Sequence, residues 1–260
     1  VGGGGGMPHR DGTNGSGADA AYLKNTPIEI TETEVPVEVL RYGLAQDTGG
    51  AGQWRGGLAT ELSFRVFAPD TRITARNRDR SKFRPWGTLG GQSAGLAHMV
   101  LNPGQPAETD LGNRDTAVLQ PGDVLMIRSA GGGGRGDPYL RAPERVARDV
   151  ACGYVSQEAA AHDYGVVIDN GIVDQKQTQA LRKKRPLRDS MFDYGAERTA
   201  YETQWSDAAY QVLNTTLGKL PIHWRFFTKT EVFARMTDRK GAEGVEAALG
   251  ERFAGRSGQY

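Results

Sequence analysis

The sequence predicts an α+β fold, in which a β-rich body of twisted, mostly antiparallel strands with glycine-rich loops precedes a helical C-terminal appendage. Two observations lead to this prediction. Over the first two thirds of the 260 residues, segments of alternating apolar and polar residues are separated by dense glycine loops, as in half-buried antiparallel sheets. From residue 187 onward, helical patterns begin at typical helix starts such as Ser206-Asp207 and Pro221.

The composition excludes several classes of protein. A net charge of +1, with 32 basic and 31 acidic residues, argues against a nucleic-acid or membrane-surface binder. One cysteine, Cys152, cannot form an internal disulfide, so we expect a reducing, cytoplasmic location. No apolar stretch reaches the ~20 residues that span a bilayer. Because the chain starts Val-Gly-Gly without an initiator Met, we expect a preceding N-terminal portion to be missing.

The first quarter of the chain predicts a loop and two strands. Residues 1–25 have no helical or strand period and predict a loop. His9 and Asp11 within it have the spacing of two metal ligands, but two ligands are too few, and polar loop residues are the alternative interpretation. Residues 26–42 alternate β-branched residues with acids and predict a strand. After a glycine loop at 46–57, residues 58–67 predict a half-buried antiparallel strand.

The densest cationic run lies between residues 72 and 87. If it is extended, one face carries Arg76, Arg78, Arg80, Lys82 and Arg84, because side chains repeat every second residue. Five neighbouring like charges need anions from a ligand, a partner or nearby carboxylates. Two interpretations stay open: a solvated edge strand that its charges protect from aggregation, or a surface that binds an anion or a subunit.

A third glycine loop at residues 89–95 leads into a short predicted strand at 98–101. His98 begins this strand. No carboxylate lies at a spacing that would indicate catalysis, so we interpret His98 as a strand histidine with satisfied hydrogen bonds rather than a catalyst.

The centre of the chain is a run of four glycines at 131–134, followed by Arg135, Gly136, Asp137 and Pro138. It is entered through residues 119–128, which predict a turn at Pro-Gly-Asp followed by a strand, and left through a predicted helix with Pro143 in its first turn. Consecutive glycines let another molecule or another part of the chain approach the backbone closely. The loop is therefore either a tightly packed structural turn or a cradle whose N–H groups contact a ligand.

The remaining segments predict helices. Ser156 and Asp174 are N-cap residues for helices at 157–163 and up to Lys184, with a brief apolar strand at 166–168 between them. Further helices are predicted at 207–219, from Pro221 to Met236, and at 243–253. The helix after Pro221 is apolar around much of its circumference, so we expect it to pack against the main body or a partner subunit.

Six segments, taken in order, resemble the C-terminal half of the hydantoinase B/oxoprolinase family. They are Asn-Thr-Pro-Ile-Glu at 25–29, Asp-Thr-Gly-Gly-Ala-Gly-Gln-Trp-Arg-Gly-Gly at 47–57, Pro-Trp-Gly-Thr-Leu-Gly-Gly at 85–91, Leu-Gln-Pro-Gly-Asp at 119–123, Gly-Gly-Gly-Gly-Arg-Gly-Asp-Pro at 131–138, and Asp149-Val150 with Gly153 and Tyr-Gly-Val-Val at 164–167. The resemblance covers residues 1–168 and implies one domain there, with residues 169–260 as a helical extension.

The resemblance implies an ATP-dependent enzyme that works with an actin-like, hydantoinase A-type ATPase subunit. It further implies that this chain is part of a large catalytic subunit in a cytoplasmic hetero-oligomer, hydrolysing a cyclic amide that the partner activates by phosphorylation. Two alternatives remain: a component of a ketone carboxylase of the acetone/acetophenone type, which the long tail favours slightly, or a non-catalytic scaffold that docks subunits.

The implied cofactors are ATP with Mg, bound mainly by the partner subunit, and a divalent metal in the missing N-terminal half, which is itself an expected partner of this chain. No metal ligand and no catalytic residue is assigned here. Phosphoryl chemistry needs cationic or N–H donors that stabilise growing negative charge. The candidates for binding the small-molecule substrate or another anion are Arg76, Arg78, Arg80, Arg84, Gly132, Gly133, Gly134, Arg135 and Asp137.

Overall fold

The computed structural model describes residues 2–15, 26–75, 80–184 and 190–253. The chain forms two compact units, Val1–Gly195 and Ala196–Tyr260. The first contains the strands and four α-helices, and the second is helical. This arrangement confirms the predicted α+β class with C-terminal helices.

The strands of the first unit, in the part of the chain that the structure describes, are β1 (Val37–Leu44), β2 (Thr60–Val66), β3 (Thr71–Thr74), β4 (Gly87–Thr88), β5 (His98–Leu101), β6 (Thr109–Asp110), β7 (Thr116–Leu119), β8 (Val124–Arg128), β9 (Ile168–Asp169), β10 (Ile172–Val173) and β11 (Phe192–Asp193). Five of them form an antiparallel sheet with the strand order β1-β2-β8-β5-β6. The other six form antiparallel pairs, β3 with β7, β4 with β11 and β9 with β10.

The helices of the first unit follow their predicted caps. Ser156 Oγ accepts from the N–H of Ala159, and Asp174 accepts from that of Gln177, as N-cap residues do. Gly165 ends its helix with a left-handed φ of 61°. The helices are α1 (Ile28–Glu34), α2 (Pro143–Ala151), α3 (Gln157–Tyr164) and α4 (Gln175–Lys183), with a 3₁₀ turn at Pro138–Leu140.

The strand predicted over residues 26–42 is wrong in its first half, because Ile28–Glu34 is helical. The ladder with β2 ends at the pair Val37 and Val66. Beyond that pair, Pro36 O accepts from Phe67 N–H at 3.0 Å, and residues 28–34 satisfy their backbone groups locally in a helix. Val35 N–H, for instance, donates to Thr31 O at 3.0 Å.

One face of the large sheet covers an apolar cluster. The buried members are Val66, Met99, Leu111, Leu119 and Leu125. Phe64 packs against them from β2, as the alternation in residues 58–67 predicted. On the opposite face of the sheet, β2 carries the polar residues Glu61, Ser63 and Arg65. A second apolar cluster, which includes Val146, Val155 and Tyr164, lies under α2 and α3.

The second unit has a core of interdigitating side chains. Its helices are α5 (Ala196–Gln204), α6 (Asp207–Lys219), α7 (Ile222–Arg235) and α8 (Gly241–Phe253). The buried residues are Trp205, Ala209, Leu213, Val232, Met236, Val245, Ala248 and Leu249. In α7, Phe233 stacks on Trp205 with ring centroids 4.1 Å apart, while Ile222 and Phe226 are 79% and 80% exposed. A packing partner for that outer side of α7 stays a prediction.

Candidate functional site

The glycine loops come together in the first unit. Segments 2–7, 11–15, 48–57, 86–95 and 129–136 lie side by side and exchange backbone hydrogen bonds, and we call them the glycine core. Examples are Gly57 N–H to Gly4 O at 2.7 Å and Gly132 N–H to Gly57 O at 2.9 Å. Gly134 N–H likewise donates to Gln92 O at 2.9 Å. The backbone polar groups of each segment are thus satisfied by the other segments.

The glycines of the central run are required because the backbones approach so closely. A Cβ on Gly132 would lie closer than 3.0 Å to backbone atoms of Gly4, and one on Gly133 would do the same to Trp86 O. Neither glycine has a left-handed φ, so the reason is space rather than a sharp turn. The N–H groups of Gly132 and Gly134 are occupied by other carbonyls. The proposed contribution of Gly132–134 to ligand binding is therefore to shape the loop, and this contribution stays a prediction.

Arg135 and Asp137 continue the glycine core. Arg135 exchanges both backbone hydrogen bonds with Trp54, at 2.9 and 3.0 Å. Asp137 is the N-cap of the 3₁₀ turn, and its Oδ1 accepts from Tyr139 N–H at 2.9 Å. Both residues hold the local backbone, and their contribution to a ligand site stays a prediction.

The cationic run is not one extended strand. Arg76 and Arg78 lie outside the described residues. Arg80 has a left-handed φ of 64°, which breaks the alternation that would place it on one face with Lys82 and Arg84. That expectation is therefore wrong for the described part of the run. The Arg80 guanidinium instead lies 5.3 Å from the centre of the Trp86 ring, a cation–π contact.

The segment that follows Arg84 runs along the central glycine loop. Thr88 N–H donates to Gly134 O, and Gly136 N–H donates to Thr88 O, both at 2.9 Å. Arg84 Nη1 lies 3.4 Å from Ala94 O. The structure thus places the described half of the cationic run next to the glycine core, although the two are about fifty residues apart in the sequence.

His98 and Arg128 lie next to the described half of the cationic run, a placement that the sequence alone did not predict. They are paired residues on the adjacent strands β5 and β8, and Ala97 N–H donates to Arg80 O at 3.0 Å. Burial and the positive charges of Arg128 and Arg84 lower the pKa of His98, against the opposing effect of Asp110. Both residues stand at ends of predicted strands, but only strand pairing, which the sequence does not give, brings them together.

A buried ion network anchors the N-terminal segment to α2. Arg141, 2% exposed, donates to Asp11 Oδ1 and to Asp149 Oδ2, each at 2.7 Å. Arg145 adds a bond to Asp11 Oδ2 at 2.9 Å. The backbone N–H of Arg55 also donates to Asp11, at 2.8 Å. Asp11 therefore serves as an acceptor for arginines, in line with its interpretation as a polar loop residue.

The pKa values in the network reflect two opposing effects. Burial, the largest single influence, raises the pKa of the Asp11 carboxyl, but the hydrogen bond and charge of Arg141, together with Arg55 N–H and the charge of Arg145, leave the pKa below its usual value. For Arg141, burial lowers the pKa, and Asp11 and Asp149 together raise it above the usual value. Both groups are held in their charged forms.

The described residues contain no group of three His, Cys, Asp or Glu side chains that could hold a metal ion. No helix in the same part of the chain is long and apolar enough to cross a membrane.

A family model shows to which protein family the chain belongs. The model described as hydantoinase B/oxoprolinase matches residues 1–138. The chain belongs to the hydantoinase B/oxoprolinase family. The matched residues include all five segments of the glycine core and the large sheet, so the family region of the chain contains the site described above.

Two relatives carry the names of subunits of a hydantoinase and of a caprolactamase. The chain is 32% identical over 187 residues to a Pseudomonas sp. (strain NS671) protein named as the B-type component of a D-/L-hydantoinase, covering 69% of this chain and 30% of that protein. It is 35% identical over 170 residues to the beta chain of the caprolactamase of Pseudomonas jessenii, covering 62% and 28%.

A solved structure of acetone carboxylase in nucleotide-free form shares the fold. The TM-score is 0.60 at 20% sequence identity, and the match covers 97% of this chain and 36% of that chain. Across these three family comparisons, the chain spans 28% to 36% of the length of the protein it matches.

Proposed function

We propose that this chain is part of the large catalytic subunit of an ATP-dependent hydantoinase/oxoprolinase-type enzyme that hydrolyses a cyclic amide. The observation that carries the proposal is the family match, which runs through the whole glycine core. Relatives named as subunits of a hydantoinase and a caprolactamase support it. In this proposal the amide oxygen is phosphorylated by a partner, an actin-like ATPase subunit, and the ring is opened at the subunit that contains this chain.

The described residues supply positive charge and a rigid loop for such a reaction. Phosphorylation turns an unreactive amide oxygen into a leaving group, and donors must stabilise the negative charge that develops. Arg80 and Arg84 hold the anionic intermediate or contact the ATPase subunit. Gly132–134, Arg135 and Asp137 shape the adjacent loop. The same role is proposed for Arg76 and Arg78.

In this proposal the two subunits bind different cofactors. ATP with Mg is bound mainly by the partner subunit, and a divalent metal is bound in the N-terminal part of this chain's own subunit. That part and the ATPase are the proposed protein partners, in the cytoplasm.

The test uses Arg80→Ala and Arg84→Ala in the complete complex, with ATP-dependent ring opening and complex assembly measured side by side. A lost guanidinium contact to an anion should lower turnover by about tenfold or more. Arg65→Ala is a matched control, because Arg65 is an arginine of the same unit that already pairs with Glu38 at 2.7 Å. Wild-type turnover and assembly in both variants would refute the role. Loss of assembly with normal turnover per assembled complex would instead assign the two arginines to subunit docking.

A ketone carboxylase is the second candidate. It is favoured by the extent of the fold likeness, since the match to acetone carboxylase covers 97% of this chain, including the helical unit. The corresponding match to the solved structure of the ATP-dependent caprolactamase from Pseudomonas jessenii covers 70% of this chain, with a TM-score of 0.51. The complex should be given ATP with bicarbonate and a ketone, together and separately. ATP consumption that requires both substrates identifies a carboxylase, and consumption driven by a cyclic amide alone identifies the hydrolase.

A further inference from the structure

The polar face of the large sheet carries a row of charged side chains across three strands. Glu61 on β2 is paired with Arg128 on β8, and Arg128 is paired with His98 on β5. Directly paired residues of antiparallel strands project from the same face with their Cβ atoms about 5 Å apart. The three side chains therefore form one continuous row.

The positive charge of Arg128 is only weakly compensated within this row. Glu61 Oε1 lies 2.9 Å from Arg41 Nε, whereas Glu61 Oε2 lies 3.9 Å from Arg128 Nη1. The Glu61 carboxylate is thus shared by two arginines and lies closer to Arg41. Arg128 Nε is buried and has no hydrogen-bond acceptor among the described residues. The Arg128 side chain as a whole is 30% exposed, so an anion from outside the chain can approach the guanidinium only away from this Nε.

The surroundings of His98 have the same imbalance. Arg128 and Arg84 both act on its imidazole electrostatically, and the carboxylate of Asp110 acts in the opposite sense. Among the described residues, the guanidinium groups of Arg84 and Arg128 thus act on the same imidazole as the Asp110 carboxylate. A guanidinium next to an imidazole offers donors in the geometry that oxyanions accept.

We propose that Arg128 and His98, with Arg84 beside them, form a binding site for a small oxyanion such as a phosphate or a carboxylate. Arg128 supplies the fixed charge and the accessible part of its guanidinium, and His98 supplies a ring N–H. Glu61 limits the affinity, because it competes with the anion for Arg128. This inference goes beyond the proposed function and does not depend on it, since the anion is defined by the donors and not by a reaction.

The experiment follows the reaction of His98 with diethylpyrocarbonate in the full chain, peptide by peptide, by mass spectrometry. The reagent modifies neutral imidazoles, so a bound anion should slow it at His98. Inorganic phosphate is titrated near neutral pH at constant ionic strength, with chloride as the balancing anion. His162, whose side chain is 86% exposed, is the internal reference. Protection of His98 but not of His162 supports the site, and equal behaviour of the two histidines overturns it.

Three variants test which groups bind the anion. Arg128→Gln should weaken the phosphate protection by about tenfold or more, the loss expected for a charge-assisted hydrogen bond. Glu61→Gln should strengthen it by about two- to fivefold, because the competing carboxylate is removed. Arg65→Gln, which removes the same charge elsewhere on the sheet, should leave it unchanged. Unchanged protection in both Arg128→Gln and Glu61→Gln overturns the proposal, and Glu61→Gln keeps it testable if Arg128→Gln misfolds.

A second titration, with acetate or bicarbonate in place of phosphate, separates the two possible sources of the oxyanion. Stronger protection by the carboxylates assigns the site to a carboxylate ligand, and stronger protection by phosphate assigns it to a phosphoryl group. Protection that follows ionic strength alone, with chloride as effective as either, counts against a site.

Discussion

The two units of this protein exclude water in different ways. In the helical unit, side chains such as Trp205, Leu213 and Val232 fill the interior, and burial of apolar area stabilises it. In the glycine core of the first unit, main chains lie directly against main chains, and hydrogen bonds between segments replace those with water. The first arrangement is adjustable, because side chains can change rotamer. In the second, the neighbouring atoms belong to the backbone and cannot change rotamer, so a single added methyl group would clash with them.

The largest effect is expected where the glycine core is tightest. Gly132→Ala places a Cβ closer than 3.0 Å to three backbone atoms of Gly4 and Gly5. Because these atoms cannot move away individually, we expect a loss of more than about 4 kcal/mol in the free energy of unfolding. Chemical denaturation of the full chain, with hydrogen exchange of the peptides containing residues 2–15, measures it.

The matched control is Gly218→Ala in α6, where an added Cβ would meet nothing within 4 Å. Alanine favours a helix over glycine, so this variant should be neutral or more stable by up to about 1 kcal/mol. If Gly132→Ala were as mild as Gly218→Ala, the contrast between the two cores would not hold.

The next largest effect is expected at the buried ion network. Arg141→Met removes the partner that Asp149 and Asp11 share and leaves the carboxylates near the interior without it. We expect a loss of about 3–5 kcal/mol. Arg198→Met is the control: it breaks the exposed pair with Glu202 and should change stability by less than about 0.5 kcal/mol. Similar unfolding midpoints for the two variants would contradict this prediction.

The helical unit should tolerate substitutions that the glycine core does not. Leu213 is 2% exposed, so Leu213→Ala should cost about 2–5 kcal/mol. Leu213→Met keeps the volume and should cost less than about 1.5 kcal/mol. The difference between the two free energies of unfolding measures how far this core repacks. Equal costs would mean that it is as rigid as the glycine core.

The smallest effect concerns alkaline pH. Burial and then the hydrogen bond to Tyr210, 2.5 Å long, raise the pKa of Tyr201 from 10.0 to about 12. A group whose pKa is raised on folding contributes stability that is present below its unfolded pKa and is lost as the pH rises through the folded one. The stability of the wild type should therefore fall between about pH 10 and 12. Tyr201→Phe should show a shallower fall, and an identical profile would contradict the assignment to Tyr201.

Local features of the fold could be predicted from the sequence. Caps such as Ser156, Asp174 and Ser206 act on N–H groups three residues away, so their helices were predicted close to their observed bounds. The helix at Ile28–Glu34 was missed because it depends on where the ladder with β2 ends. The alternation of apolar and polar residues within a segment does not show where the ladder between β1 and β2 ends.

The candidate site was predictable only in part. The glycine run and Arg84 stand out by composition, and the structure brings their segments together. Arg128 and His98 are ordinary strand residues until strand pairing makes them neighbours. Pairing between residues thirty positions apart is set by the packing of the whole sheet.

The glycine core also has a consequence for synthesis of the chain. Gly3 bonds to Ala130, and Asp11 bonds to Arg141, 130 residues further on. At typical translation rates the first segments must wait on the order of ten seconds before these partners leave the ribosome. During that time the backbone N–H and C=O groups of these segments form hydrogen bonds with water instead. Because of this order of synthesis, the first segments of the glycine core stay open to proteases and chaperones until residue 141 has emerged.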